Sequence, residues 1–413
     1  MKNNFLDEII ARNYFHQCTD KDKLRAKLDS SPIKAYIGFD CTAPSLHVGS
    51  LLQIMCLRLL QKYGHQPIVL LGGGTTLIGD PSGKDSTRKI LVDSEIKNNI
   101  NKIKSVFVKL LKSDKKETQP IFVDNSEWLK KLNYIDFLRN VGKHFTINKM
   151  LSFDSVKLRL EREQSLSYME FNYMILQAYD FYKLNLDYKC DLQIGGSDQW
   201  GNIINGVELI RKMEKKESYG LTTPLITLAS GTKMGKTEKG AIWLNKEMLS
   251  AYDYWQFWRN TSDGDVINFL KFFTEIDIEE LNKVIKNEKN INNLKVLLAN
   301  ETTKLLHGDK SASDAEKTAQ ETFQGKGIGK DLPEITFKKS QIQKGIDILE
   351  LLTISKIMSS KGEARRAIAN NGIKINDIMV NNEKKIINQE DLLDQSYVKI
   401  SYGKKKHYII KTN

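Results

Sequence analysis

Four cysteines stand scattered through 413 residues, at positions 18, 41, 56 and 190, with no CxxC pair and no histidine cluster beside them. Such spacing supplies neither a disulfide framework nor a structural zinc site, and it points to a reducing compartment, here the cytoplasm. No window approaches the ~18 unbroken apolar residues that a membrane span requires. The opening stretch, MKNNFLDEIIARNYF, sets acids inside a short amphipathic helix and has no apolar signal core. No internal repeat is visible. A hydrophobic share of 40% beside a charged share of 28% excludes disordered and collagen-like chains.

Basic residues are in excess: 63 Lys and Arg against 51 Asp and Glu leave a formal charge of +12. A solvated lysine-rich surface explains this as well as a polyanionic partner, whose phosphates release counterions to clustered cations.

The first half alternates strand and helix signals. KAYIGF (34–39) is a short apolar run and DCTAPS (40–45) is turn material. LHVGSLLQIMCLRLLQKYG (46–64) carries Val48, Leu51, Leu52, Met55 and Leu59 at helical spacing and stops at Gly64. PIVLLGGG (67–74), PIFVD (120–124) and CDLQIGG (190–196) are further strands. Strand–helix–strand units of this length imply parallel crossovers. The expected fold is α/β, a doubly wound parallel sheet whose ligands sit beyond the carboxyl ends of its strands. Residues 1–240 form this Rossmann-like domain, and 241–325 an α-helical domain. A linker at 326–344 contains the Gly-rich hinge GKGIGKDLPE, and 345–413 form a small C-terminal α+β domain.

Three constellations carry chemistry. In GFDCTAPSLHVGS, Gly38 admits a ligand to the backbone, and Ser45 opens a helix whose free N–H groups favour phosphate. His47 and Gly49 then fall in its first turn. The imidazole there can donate to a phosphoryl oxygen, although a histidine near a helix start is more often a cap. GTKMGKTEKG (231–240) is a glycine-punctuated lysine loop, either surface decoration or a clamp for phosphate charge. Finally, FNYMILQAYD (171–180) places Tyr173, Gln177 and Asp180 at i, i+4 and i+7 among Phe171, Met174, Ile175, Ala178 and Phe181. A polar stripe on a buried helix must find partners, since each unsatisfied group costs ~1–3 kcal/mol. It is either a core network or a wall for a polar ligand.

HVGS (47–50) resembles the HIGH signature and KMGKT (233–237) the KMSKS signature of class I aminoacyl-tRNA synthetases. With YIGFDCTAPSLHVG, GGTTLIGDPSGK (73–84), FNYMILQAYD and LQIGGSDQWGN (192–202), nearly the whole chain resembles the bacterial-type tyrosyl-tRNA synthetase family. The resemblance implies that the tyrosine carboxylate attacks the α-phosphorus of ATP, and that tyrosine then passes to the 3′ end of tRNA(Tyr). It implies Tyr36 and Asp180 at the tyrosine hydroxyl, and Asp80, Tyr173, Gln177 and Gln199 around the rest of the amino acid. Gly38, Asp40, Gly49, Gly196 and Asp198 would hold the nucleotide, with Asn125 and Trp128 framing the region. His47, Ser50, Lys84, Arg88, Lys233, Lys236 and Thr237 would stabilise the phosphates. ATP brings Mg²⁺ with it, and neither an organic cofactor nor zinc is implied. Ser50 replaces the second HIGH histidine, and Gly235 replaces the KMSKS serine and should make that loop more mobile.

SKGEARRAIANNGIKINDIMVNNEKK (360–385) resembles the alpha-L RNA-binding fold of certain ribosomal proteins, with Lys361, Arg365 and Arg366 placed for phosphate and Lys404–Lys406 as a second basic patch. Family members are homodimers, and the aromatic and basic stretch from about 128 to 165 could supply the contact. The rival expectations are the tryptophanyl sister enzyme and a catalytically inactive synthetase-like RNA-binding protein.

Overall fold

The computed structural model describes residues 4–82, 91–227, 234–237, 240–323, 332, 334–393, 396–403 and 406–412. They fall into two compact units, Met1–Ala312 and Ser313–Asn413.

The first unit is built on a six-stranded sheet: β1 (Gln17–Cys18), β2 (Lys34–Phe39), β3 (Gln66–Leu71), β4 (Ile121–Asp124), β5 (Cys190–Gly196) and β6 (Tyr219–Thr223). Their order across the sheet is β1-β6-β5-β2-β3-β4. All neighbours run parallel except the antiparallel edge β1. β2 therefore lies between β3, which follows it, and the much later β5. The winding direction reverses between β2 and β5, and a crevice opens beyond the carboxyl ends of strands at such a point.

Four strands stand within a few residues of their expected places, because each is an apolar run; β2, β3 and β5 are buried along most of their length, and β4 at the sheet edge is half-buried. β1 and β6 were not legible. β6 reads YGLTT, yet every residue of it is buried. Its threonines qualify because partners arrive from elsewhere: the Thr222 hydroxyl lies 3.0 Å from the His16 ring and Thr223 accepts from Gln53 at 2.8 Å.

The expected helix 46–64 is shorter at its start. A single 3-10 turn, Val48–Ser50, leads into an α-helix over Leu51–Lys62, and His47 precedes both. The reason is long-range pairing. The Val48 N–H donates to the Ile242 carbonyl at 2.9 Å, and the Leu244 N–H to the Leu46 carbonyl at 2.9 Å. Segment 46–47 is thus held extended, up to the start of the turn, by a partner about two hundred residues away, which no local pattern announces.

The helix Tyr168–Tyr188 begins at a capping box between Ser167 and Glu170 and ends at Lys189 in the left-handed region (φ 57°). Phe181 and Leu184 from this helix pack with Tyr36, Ile68, Leu70 and Val123 of the sheet. After residue 250 the unit is helical through His307. Arg12 ties the N-terminus to this helical part. Its guanidinium is fully buried, pairs with Glu8 at 2.7 Å, and donates to the carbonyls of Lys271, Thr274 and Ile276 at 3.0, 2.9 and 2.6 Å.

The second unit holds a five-stranded sheet in the order Ile378–Met379, Ile373–Ile375, Tyr397–Tyr402, Lys406–Thr412, Glu334–Phe337. Helices Ile348–Ile354 and Lys361–Ala369 share its core through Ile348, Leu351, Leu352 and Ile368. Part of the expected linker is ordered structure. Glu334–Phe337 pairs in parallel with the final strand and Lys339–Gln343 is helical. A four-residue strand acquires its identity from a distant partner, so its own sequence did not mark it. Among the described residues, no helix is long and apolar enough to cross a membrane.

Candidate active site

The crevice beyond β2 and β5 encloses about 300 Å³. It gathers most of the residues singled out from the sequence: Tyr36, Gly38, Asp40, Gly49, Ser50, Asp80, Tyr173, Gln177, Asp180, Gly196, Asp198 and Gln199 all line it. Alternation along β2 turns Tyr36 and Gly38 toward this side, and Asp40 follows at the strand end. The polar stripe of the helix Tyr168–Tyr188 forms the facing wall.

At its deep end, Asp180 is 1% exposed. Its carboxylate accepts from Asn125 Nδ2 at 2.9 Å and from Trp128 Nε1 at 2.7 Å. Burial raises its pKa to about 7 against the pull of these two donors, with the Asp40 and Asp124 charges adding to the rise. A carboxylate has about four acceptor positions, so two remain. The Tyr36 hydroxyl, also buried, has no hydrogen-bond partner among the described residues, and burial followed by the Asp180 charge pushes its pKa well above the ordinary phenol value.

Two networks extend outward. Asn125 Nδ2 also donates to Thr75 Oγ1 at 3.0 Å, and Thr75 donates to Asp40 at 3.1 Å. The Tyr173 hydroxyl reaches both Asp40 oxygens at 3.3 Å. Separately, Gln199 Nε2 donates to Asp80 at 2.9 Å, while Asn202 Nδ2 bridges Gln199 Oε1 and Gln177 Oε1 at 3.1 and 3.0 Å. Thr75, Asn202, Gln53 and Gln193 were missed in the sequence. Gln193 left a usable signal, a polar residue inside the apolar run of β5 and only 2% exposed. Thr75 and Asn202 left none, since each acquires its role from a contact made across the fold.

His47 stands behind the crevice wall rather than in the first helical turn. Its Nδ1 accepts the Gly49 N–H at 3.0 Å, which fixes the proton of the neutral ring on Nε2. The cap and the donor are therefore compatible, one nitrogen serving each. Ser45 does not open the helix; its Oγ lies 2.7 Å from Asn245 Oδ1. Gly235 is also not the loosening element expected. It sits at φ 102°, buried against His47, where a Cβ would collide with Nδ1 of the ring. A Cβ on Gly49 would likewise meet the Met234 carbonyl at 2.7 Å. Two glycines thus let the two signature segments touch backbone to backbone.

Lys236 and Thr237 pair with Gly240–Ala241 as a short antiparallel hairpin. Lys84, Arg88, Lys233, Lys404 and Lys405 lie outside the described residues. Lys361, Arg365 and Arg366 are exposed on the helix Lys361–Ala369 of the second unit, with Arg365 3.6 Å from Glu383. Among the described residues, no group of three or more His, Cys, Asp or Glu side chains is placed to hold a metal ion.

The family described as tRNA synthetases class I (W and Y) matches residues 28–324, and the tyrosine–tRNA ligase SYY-like C-terminal domain matches 324–410. The chain is 62% identical over 405 residues to the tyrosine–tRNA ligase of Pelagibacter ubique, covering 98% of each. It is 52% identical over 408 residues to that of Rickettsia massiliae, covering 98% of this chain and 99% of the relative. The C-terminally truncated mitochondrial tyrosyl-tRNA synthetase of Aspergillus nidulans superposes with a TM-score of 0.71 at 29% identity, over 78% of this chain and 94% of that one. The chain belongs to the class I tRNA synthetase (W and Y) family, and its C-terminal module is of the tyrosine–tRNA ligase type.

Proposed function

We propose that the chain is a tyrosine–tRNA ligase: it joins L-tyrosine to ATP as tyrosyl-adenylate, releases pyrophosphate, and transfers tyrosine to tRNA(Tyr). The observation that carries this is the buried pair at the foot of the crevice, an unpartnered Tyr36 hydroxyl beside an Asp180 carboxylate with acceptor capacity to spare. A phenol supplies one O–H and one oxygen, and it satisfies both groups. Phenylalanine leaves the Tyr36 hydroxyl unsatisfied, at ~1–3 kcal/mol for such a buried group, and gives Asp180 nothing beyond its Asn125 and Trp128 donors. Tryptophan presents a single N–H and no acceptor for the Tyr36 hydroxyl.

Substrate tyrosine brings its own nucleophile, so positioning and electrostatics do the rest. Asp80, Tyr173, Gln177 and Gln199 take the amino end, and Gly38, Asp40, Gly49, Gly196 and Asp198 the nucleotide. Ser50 lines the crevice at this end, and His47, packed against Gly49 and Gly235, is assigned to the phosphates by sequence resemblance. Lys84, Arg88, Lys233, Lys236 and Thr237 are assigned to pyrophosphate by sequence resemblance. Mg²⁺ enters on the ATP phosphates, with neither zinc nor an organic cofactor involved. The division of labour follows the segments expected from the sequence, 1–240 for chemistry, 241–325 as a helical domain and 345–413 for RNA, and the setting is the cytoplasm. ATP–pyrophosphate exchange with tyrosine, tryptophan and phenylalanine tests the assignment; exchange driven equally by all three, or by none, refutes it.

Lys361, Arg365 and Arg366 are proposed to contact tRNA phosphate. Removing 324–413 is expected to leave pyrophosphate exchange within about twofold and to abolish most tRNA charging; undiminished charging contradicts the proposal. A homodimer is proposed through the stretch near 128–165, supported by its exposed apolar side chains: Tyr134, Ile135 and Ile147 are 58–67% exposed. Ile135→Asp is expected to shift sedimentation from dimer to monomer, and an unchanged dimer places the contact elsewhere.

A further inference from the structure

The segment that carries His47 does not belong to the six-stranded sheet or to the helix after it. It is held by residues 242–245, which follow the second signature. Ser45 Oγ lies 2.7 Å from Asn245 Oδ1 and accepts the Asn245 backbone N–H at 3.2 Å. Its single proton is shared with the Leu46 carbonyl at 2.9 Å. Beyond this anchor the two strands continue through Leu244 to Leu46 and Ile242 to Val48, and the Ile242 N–H reaches the Gly235 carbonyl at 3.2 Å. Ser45, Leu46, Val48 and Leu244 are all buried. The first pair in the ladder therefore sets the register of everything after it, including the place of the His47 ring against Gly49 and Gly235.

We propose that Asn245 is a positioning residue for adenylate formation, acting through Ser45 to hold His47 at the phosphate end of the crevice. The inference rests on the function proposed above. Asn245 has no place among the crevice-lining residues, so its loss should leave tyrosine binding alone while misplacing a donor whose value depends on sub-ångström geometry. The acceptor Oδ1 is what matters, and aspartate retains it.

The test compares Asn245→Ala, Asn245→Asp, Ser45→Ala and the Ser45→Ala/Asn245→Ala double variant in full-length protein. Readouts are the tyrosine-dependent exchange rate, tyrosine affinity by equilibrium dialysis, and hydrogen exchange at the Val48 and Leu244 amides. Asn245→Ala is expected to lower the exchange kcat about tenfold, keep tyrosine Kd within about twofold, and accelerate exchange at both amides. Asn245→Asp is expected to restore both the rate and amide protection. The double variant should be no slower than the slower single one, because both remove the same contact. A wild-type rate in Asn245→Ala, an equal loss of tyrosine affinity, or no rescue by aspartate overturns the proposal. If wild-type protein shows no tyrosine-dependent exchange, the function assigned above fails instead, and the amide exchange of Asn245→Ala against Asn245→Asp still decides whether the tie exists.

Discussion

Asp180→Asn is expected to lower kcat/KM for tyrosine in pyrophosphate exchange by about two to three orders of magnitude. Removing one member of a buried, charge-assisted contact costs roughly 3–5 kcal/mol, and ~1.4 kcal/mol is tenfold. The same variant should fold normally. Asp180 has a folded pKa of about 7 against 3.8 for the unconstrained group, so folding favours its neutral form. The stability it contributes is complete below about pH 4 and is lost as pH rises through 7. An amide carries no such charge, and that relief offsets the loss of one accepted hydrogen bond. A urea midpoint close to wild type together with lost activation would mark Asp180 as a ligand group rather than a core support. The pH profile gives a second check. The ionised carboxylate is the stronger acceptor for a phenol, so kcat/KM for tyrosine should climb through about pH 7 in wild type and stay flat across that range in Asp180→Asn. A variant that keeps wild-type kcat/KM would show that Asp180 only braces Asn125 and Trp128.

Arg12→Ala is expected to destabilise the first unit by roughly 3–5 kcal/mol, since it strands a buried acid and three carbonyl acceptors together. Burial opposes the Glu8 charge, yet its pKa lies below the ordinary value because Arg12, Lys62 and Tyr63 all favour the ionised form. Its contribution is therefore present above about pH 4.5 and lost as pH falls further. Arg12→Lys should recover little, because one ammonium cannot span Glu8 and the carbonyls of Lys271, Thr274 and Ile276 as the guanidinium fork does. Urea unfolding at pH 7 measures this, and a loss under about 1 kcal/mol would mean that water replaces the clamp without penalty.

Charge and crevice come together in the long helix. Its stripe of Tyr173, Gln177 and Asp180 could be read as either core or ligand wall; the contacts place it in an internal network whose members also line the crevice. Asp180 is fixed by Asn125 and Trp128, and Tyr173 by Asp40, while all three stripe residues still line the cavity. Structural bonding orients the groups and leaves capacity for a substrate, so the two alternatives were never exclusive.

The sequence alone determined the parallel strands β2 to β5 and the stripe on the helix Tyr168–Tyr188, since each is written in local periodicity or composition, and it marked the two signature segments by resemblance. The tertiary structure decided what local patterns do not encode: that His47 is a cap whose outer nitrogen carries the proton, that Ser45 answers Asn245, and that Gly235 is a point of contact. It also decided that β6, rich in threonine, is buried. Each of these depends on a partner far along the chain, and hydrogen bonds and close approach are properties of pairs, which exist only once the backbone has brought both members together.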